Sequence, residues 1–96
     1  MEEHREGELA QTRKELKELL VSSLSLEHIS PEDIKDDEIL FGERLGLDSL
    51  DAVEIVVLLQ RNFGLEIKDI ELGRKIFYSL DTLAQYVYEN TKRKNS

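Results

Sequence analysis

Residues Leu45–Val56 have the sequence LGLDSLDAVEIV, which is typical of a turn followed directly by the start of a helix. Asp48 is a favourable N-cap, and Asp51 lies in the first turn, where the helix dipole favours negative charge. The pattern predicts a helix over residues 49–62, closed by Gly64. Its apolar residues are too many for one face. The helix is therefore expected either to be buried on several sides or to keep apolar surface for a partner.

The residues before this segment predict another helix and a long loop. Leucines recur at helical spacing between residues 9 and 26, which indicates a first long helix. Pro31 after Ser30 fits either the first position of a helix or a simple turn. Residues 32–48 predict a long ordered loop that five apolar residues pin across the helices: Ile39, Leu40, Phe41, Leu45 and Leu47.

The residues after Gly64 predict two more helical segments. A loop and a short helix are expected over residues 65–77, and a final helix is expected to begin near Ser79, whose residue type favours the N-cap position. The sequence thus predicts an all-α bundle of three longer helices and one short helix, with the long loop between the first two long helices. A single domain is expected over residues 1–96, with its ordered core at residues 8–90 and frayed termini.

The charge of the chain limits its partners. Twenty-one Asp and Glu against thirteen Lys and Arg give a net charge of −8, which disfavours nucleic acid and anionic membranes. Such a surface suits partners with basic patches, although the acids could also serve only solubility. With no cysteine, disulfides are excluded. The longest apolar run, Ile55–Leu59, is too short to span a bilayer, and we expect a cytoplasmic protein without stable membrane insertion.

The segment around Ser49 resembles the acyl carrier protein family. The matching residues are the Leu45-Gly46 pair, then Asp48-Ser49-Leu50, then Val53-Glu54-Ile55. Phe41, Phe63 and Glu66-Ile67 extend the likeness over nearly the whole chain. The resemblance implies an acyl-carrier-like bundle that is not an enzyme and acts as a monomer. It implies a 4′-phosphopantetheine arm, taken from coenzyme A and attached to Ser49 by a phosphopantetheinyl transferase. Acyl groups carried as thioesters on this arm would pass from a loading enzyme to fatty-acid, polyketide or other synthases and transferases.

The physical chemistry of Ser49 agrees with that role. A serine at a helix N-terminus is most often a cap, but here Asp48 can cap the helix and leave the Ser49 hydroxyl free. The unpaired backbone N–H groups and the dipole of the helix N-terminus also favour a phosphodiester at this place.

The resemblance also assigns surfaces to particular residues. The residues implied in recognition by partner enzymes are Asp48, Leu50, Asp51, Val53, Glu54, Val57 and Glu43. For Val53 and Val57, a plain core position is the alternative. The residues expected to line a space that shelters the acyl chain are Leu45, Val56, Leu59 and Ile67.

The sequence departs from the common fatty-acid carriers at two places. Arg44 stands where the family usually has an acid, and Gln60-Arg61-Asn62 replaces a run of acids at the end of the helix. A partner with a basic docking patch would lose attraction there. We therefore expect this carrier to serve a specialised synthase.

Other functions remain open at this level. A peptidyl, aminoacyl or D-alanyl carrier shares the serine and the arm, but Leu47 before Asp48-Ser49 favours the acyl branch. A helical interaction module without a modified serine is a further alternative, and a helix-turn-helix DNA binder is disfavoured by the negative charge. The acids between Asp33 and Glu38 lack the ligand spacing of a calcium loop, so no metal site is predicted.

Overall fold

The computed structural model describes residues 2–24, 26 and 28–92. Within this part of the chain, four α-helices and one 3₁₀ turn follow one another, and no strand forms beyond a single bridge. The elements are α1 (Glu2–Ser23), the 3₁₀ turn (Pro31–Asp33), α2 (Ser49–Phe63), α3 (Ile70–Ile76) and α4 (Leu80–Lys92). The predicted all-α architecture, three longer helices and a short one with a loop between α1 and α2, is confirmed.

The bounds of α1 differ from the prediction at both ends. The helix begins at Glu2, well before Leu9, because the preceding residues are mostly good helix formers that carry no apolar stripe by which a pattern could detect them. It ends at Ser23, not near Leu26. The N–H of Leu26 donates to the carbonyl of Val21 at 3.2 Å, which closes a wider turn and buries the Leu26 side chain.

The core lies between α1 and α4. The leucine stripe of α1 supplies buried residues that pack, together with Thr12, against the buried face of α4. The Thr12 hydroxyl donates to the carbonyl of Glu8 at 3.0 Å, which satisfies this polar group inside the core. The buried apolar residues of these two helices are Leu9, Leu16, Leu20, Leu80, Leu83, Ala84 and Val87.

Both ends of α2 are fixed by the residues that the sequence indicated. Asp48 is the N-cap, and Gly64 follows the last residue with a left-handed φ of 67°, which a glycine adopts without steric cost. This conformation lets the N–H of Leu65 donate to the carbonyl of Leu59 at 3.2 Å. Ile55 and Leu59 are buried in the core.

Ser79 caps α4 as predicted. The Ser79 Oγ accepts the N–H of Thr82 at 3.2 Å, and the Thr82 Oγ1 accepts the N–H of Ser79 at 3.0 Å. The helix runs to Lys92, and the tail at residues 93–96, which we expected to be frayed, lies outside the described residues.

The loop between α1 and α2 is held against the start of α4 by main-chain hydrogen bonds. The N–H of Leu40 donates to the carbonyl of Tyr78 at 3.3 Å, and that of Leu80 donates to the carbonyl of Glu38 at 2.8 Å. Leu40 is fully buried between them. The prediction that Ile39 and Phe41 also pin the loop is wrong, since both are exposed. Leu40 and Phe41 are the central residues of a turn, in which the N–H of Gly42 donates to the carbonyl of Ile39 at 3.4 Å. This turn buries Leu40 and leaves Ile39 and Phe41 exposed.

Candidate functional site

The candidate site begins at the N-terminus of α2, where two aspartates cap the helix together. Asp48 Oδ1 accepts the N–H groups of Leu50 at 3.0 Å and Asp51 at 3.1 Å. In return, Asp51 Oδ2 accepts the N–H of Asp48 at 2.9 Å. The predicted cap is confirmed, and the second aspartate makes it reciprocal.

Ser49 lies between these two aspartates with its side chain exposed. Among the described residues, no hydrogen bond joins the Ser49 Oγ to another protein group. The hydroxyl therefore stands free in solvent at the positive end of a helix of fifteen residues. A free hydroxyl at this place is suited to bear a phosphodiester.

An exposed apolar stripe runs along α2 from this end. Leu50 is 78% exposed and Val53 is 63% exposed, while Val57 is at the edge of the stripe at 37%. Glu54 is exposed beside them. We call these four residues the docking face, after the role that the sequence analysis predicts for them. Side chains as exposed as those of Leu50 and Val53 contribute little to the core, so the alternative assignment of Val53 to the core is wrong. Val57 is less exposed, so its alternative assignment to the core holds in part.

Charged groups flank the docking face near Ser49. Glu43 and Asp48 are exposed, and Asp51 is half-buried because its carboxylate takes part in the cap. These acids make the end of α2 that carries Ser49 negative. At the other end, Arg61 is exposed and faces no described acid within ion-pair distance.

The positive charge of Arg44 is paired with groups of the same loop. Its guanidinium donates to the Glu38 carboxylate at 2.6 Å and to the carbonyl of Asp33 at 2.7 Å. The Glu38 side chain is only 9% exposed and also accepts the N–H of Lys35 at 3.2 Å. The sequence alone identified Arg44 as an unusual surface cation; the structure makes it a loop-fixing residue whose charge is largely neutralised.

A cavity of about 470 Å³ opens between α2 and α3, with mostly apolar walls. From α2 it is lined by Ala52 and Val56, which follow Ser49 by about one and two helical turns and lie on the same side of the helix. The other lining residues are Ile39, Phe41, Ile67, Lys68, Asp69, Gly73, Arg74, Phe77 and Tyr78.

Two of the four residues predicted to line such a space, Val56 and Ile67, do line this cavity. Leu45 and Leu59 do not line it; they are buried in the core at 3% and 1% exposure. Leu59 continues the stripe of Ile55 at a spacing of four, which faces the core.

Sequence reasoning missed the cavity residues of the loop and of the segment after α3. The backbone bridge between Ile39 and Ser79 brings the two segments together, so that Phe41 and Tyr78 share the rim. The sequence carries no signal for these orientations, because they depend on the turn over residues 39–42 and on the bridge to Ser79.

The acidic run at the start of the loop has separate partners. Asp33 accepts the hydroxyl of Ser30 at 3.0 Å, and Asp36 accepts Lys17 Nζ at 2.8 Å, with Arg13 at 3.7 Å. The hydrogen bond from Lys17, aided by the charges of Lys17 and Arg13 and opposed by partial burial, lowers the pKa of Asp36. Over the described residues, no cluster of three or more His, Asp or Glu is arranged to hold a metal ion.

Similarity to known proteins identifies the family of this chain. A family model described as "Phosphopantetheine attachment site" matches residues 14–87, well over half of the chain. The chain belongs to the phosphopantetheine-binding carrier domains. Proteins of this family are carriers and not catalysts, and the group they bear is phosphopantetheine. The free hydroxyl of Ser49, at the capped end of α2, fits covalent attachment of that group.

Relatives of this carrier domain include proteins that are named acyl carrier protein. The acyl carrier protein of Campylobacter hominis is 36% identical over 81 residues, which cover 84% of this chain and 95% of the relative. That of a Sulfurovum species is 44% identical over 55 residues, 57% of this chain and 68% of the relative. "Acyl carrier protein 2, mitochondrial" of Arabidopsis thaliana is 39% identical over 54 residues, 56% of this chain and 41% of the relative. Among the described helices of the carrier domain, none is long and apolar enough to cross a membrane.

Proposed function

We propose that this protein is an acyl carrier protein that bears its 4′-phosphopantetheine arm on Ser49. The observation that carries the proposal is the exposed Ser49 hydroxyl at the capped N-terminus of α2, one to two helical turns from an apolar cavity. The arm supplies a thiol that holds an acyl group as a thioester. The protein positions the arm and presents it to other enzymes.

Attachment requires a phosphopantetheinyl transferase and coenzyme A. The Ser49 Oγ forms a bond to the phosphorus that bears the pantetheine, adenosine 3′,5′-bisphosphate leaves, and the serine proton passes to a base of the transferase. The new phosphodiester lies at the N-terminus of α2, where the helix dipole stabilises its negative charge. Asp48 contributes a carboxylate beside the serine that the transferase can recognise.

The docking face is the part of the surface that partner enzymes contact in this proposal. Leu50 and Val53 present apolar area that water covers in the free protein, and burying it on a partner is favourable. Glu54 and the acids around Ser49 (Glu43, Asp48, Asp51) attract a partner with a basic patch. The proposed partners are the transferase, an acyl-loading enzyme, and synthases or transferases of fatty-acid, polyketide or other specialised biosynthesis.

The charge at the C-terminal end of the docking face supports the hypothesis that the partner is a specialised synthase. Arg61 replaces an acid that the common fatty-acid carriers have, and it is exposed in the last turn of α2. Along the helix it lies about 15 Å from Asp51, so a partner must accept opposite charges at the two ends. Arg44 contributes less to this difference than its sequence position implied, because Glu38 holds it.

The cavity between α2 and α3 offers shelter to the acyl chain. Val56 and Ile67 contribute apolar walls from opposite sides. Apolar walls favour the hydrocarbon part of an acyl group over an aminoacyl group, whose ammonium would lose hydration there. This favours the acyl branch over the peptidyl, aminoacyl and D-alanyl carriers, and Leu47 before Asp48 agrees with it.

The test is the transfer of different groups to the purified protein after the arm is attached. An acyltransferase with its acyl-coenzyme A is compared with an amino-acid-adenylating enzyme with its amino acid and ATP, and thioester formation is followed by mass spectrometry. We expect acyl transfer to exceed aminoacyl transfer by at least tenfold. The reverse preference would contradict the acyl assignment while leaving the carrier role intact. Ser49→Ala, which cannot bear the arm, is the negative control for thioester formation.

The proposal includes a monomeric state and a cytoplasmic location. The bacterial acyl carrier proteins among its relatives support the cytoplasm, although the Arabidopsis thaliana relative is named mitochondrial.

A further inference from the structure

Gly73 occupies an unfavourable position for a glycine. It lies in the middle of α3, with its N–H donating to the carbonyl of Asp69 at 2.9 Å and its carbonyl accepting the N–H of Phe77 at 2.9 Å. A glycine inside a helix loses more conformational freedom on folding than alanine does and is destabilising there. This cost suggests that another feature of the protein favours the absence of a side chain at position 73.

The backbone gives no reason for this glycine. Its φ is not in the left-handed region, where Gly46 and Gly64 lie. Apart from its own helix backbone and chain neighbours, the one described heavy atom within 4 Å of a Cβ placed on Gly73 is Ile67 Cγ2, at 3.5 Å. That distance is an ordinary van der Waals contact, so alanine would fit without displacing the neighbour.

The feature that Gly73 does touch is the cavity. The residue is buried, and it lines the cavity together with Ile67 on its own side and Val56 across on α2. Since its Cβ direction meets only Ile67, the space that a larger side chain would fill is cavity volume. Ala52, the other small residue of the lining, follows Ser49 by three positions and opens the same space from α2.

We propose that Gly73 determines which acyl groups the cavity accepts, by leaving open the volume in which the far part of the chain lies. The substrate class is a hydrocarbon acyl group long enough to extend from the arm on Ser49 past Ala52 to Gly73. Any side chain at position 73 shortens the acyl group that can be sheltered. This inference rests on the proposed function, because it concerns the group carried on Ser49.

The experiment measures the melting temperature of the protein as a function of the acyl chain it carries. A phosphopantetheinyl transferase attaches saturated butanoyl-, octanoyl- or dodecanoyl-phosphopantetheine from the corresponding coenzyme A thioester, and intact-protein mass confirms each product. The proteins are the wild type, Gly73→Ala and Gly73→Leu. Gly7→Ala is the matched control, because Gly7 is also within a helix but is exposed, with no described atom within 4 Å of its Cβ position.

For the unmodified proteins, Gly73→Ala and Gly7→Ala should both raise the melting temperature, by about 2–8 °C, because alanine favours the helix. In the wild type and in Gly7→Ala, the melting temperature should rise by at least about 5 °C from the butanoyl to the dodecanoyl form, since more hydrocarbon is buried. In Gly73→Leu this rise should stop at the octanoyl form or earlier. Gly73→Ala should lie between the two.

Two results would overturn the inference. One is a rise with chain length in Gly73→Leu that equals that of the wild type. The other is a wild-type melting temperature that does not change with chain length. That result would show that the acyl chain is not sheltered in the cavity, but it would not affect the attachment of the arm to Ser49. A wild-type protein whose mass shows no attached arm would instead contradict the proposed function itself, and the inference with it.

Discussion

Asp48 and Asp51 cap α2 reciprocally, each carboxylate accepting the backbone N–H of the other residue, at 3.1 and 2.9 Å. The arrangement satisfies N–H groups that a helix start leaves unpaired, and it does so without the serine that lies between them. The hydroxyl of Ser49 is therefore available for modification. A cap made by Ser49 itself would have placed the same oxygen against the backbone.

Substitution of Asp48 separates its capping role from its charge. Asp48→Ala should lower the free energy of unfolding by about 1 kcal/mol, because the N–H groups of Leu50 and Asp51 lose their acceptor. Asp48→Asn should retain most of that stability, since asparagine is an equally good N-cap. Chemical denaturation measures both. Equal losses in the two variants would contradict the assignment of the stability to capping.

Arg44 should stabilise the loop more than an ordinary surface arginine does. Arg44→Ala should cost about 1–2 kcal/mol, because the Glu38 carboxylate loses its cationic partner and the carbonyl of Asp33 loses a donor. The matched control is Arg74→Ala, whose ion pair with Glu71 at 4.0 Å is exposed on both sides and should contribute less than about 0.5 kcal/mol. Denaturation of the two variants is compared. Similar losses would show that Arg44 is not a loop-fixing residue.

Arg61 should weaken use of the protein by enzymes with uniformly basic docking patches. With the arm attached and acylated, Arg61→Glu should raise kcat/KM with a housekeeping ketoacyl synthase about three- to tenfold at low salt, and Arg61→Gln should give a smaller rise. The gain should shrink as ionic strength increases, because exposed charges are screened. Wild-type rates equal to those of Arg61→Glu would contradict the specialised partner.

The ion pairs of Asp36 should make stability depend on pH. The hydrogen bond from Lys17 lowers the pKa of Asp36, so the stabilisation is present above the unfolded value of about 4 and is lost as the pH falls through the folded value. Asp36→Asn should be less stable than the wild type at pH 7. Because the side chain is 63% exposed, solvent screening limits this difference to less than about 1 kcal/mol. Denaturation between pH 7 and pH 2.5 should show the difference closing at the acid end, and a constant difference would exclude Asp36 as its source.

The parts of the molecule that the sequence predicted well are those set by local signals. α2 was placed to within one residue because Asp48 and Gly64 lie directly at its ends. Ser79 marked the start of α4 in the same way. The position of Ser49, and the absence of a hydrogen bond from its hydroxyl among the described residues, follow from the cap that Asp48 makes.

The parts that sequence analysis missed depend on contacts between distant residues. The side of the loop that faces the cavity is decided by the bridge from Ile39 to Ser79, forty positions later. The partner of Arg44 is Glu38, whose carboxylate is reached only when the loop turns back on itself. The first turns of α1, before Leu9, carry no periodic apolar residue that could have indicated them.

The central claim is that Ser49 carries the arm, and intact-protein mass spectrometry tests it most directly. The unmodified protein is incubated with coenzyme A, Mg²⁺ and a broad-specificity phosphopantetheinyl transferase, alongside Ser49→Ala and the control Ser23→Ala, which removes another exposed serine from a helix terminus. We predict a mass gain of one phosphopantetheine in the wild type and in Ser23→Ala, and none in Ser49→Ala. A gain that persists in Ser49→Ala, or no gain in the wild type with several transferases, would contradict the account.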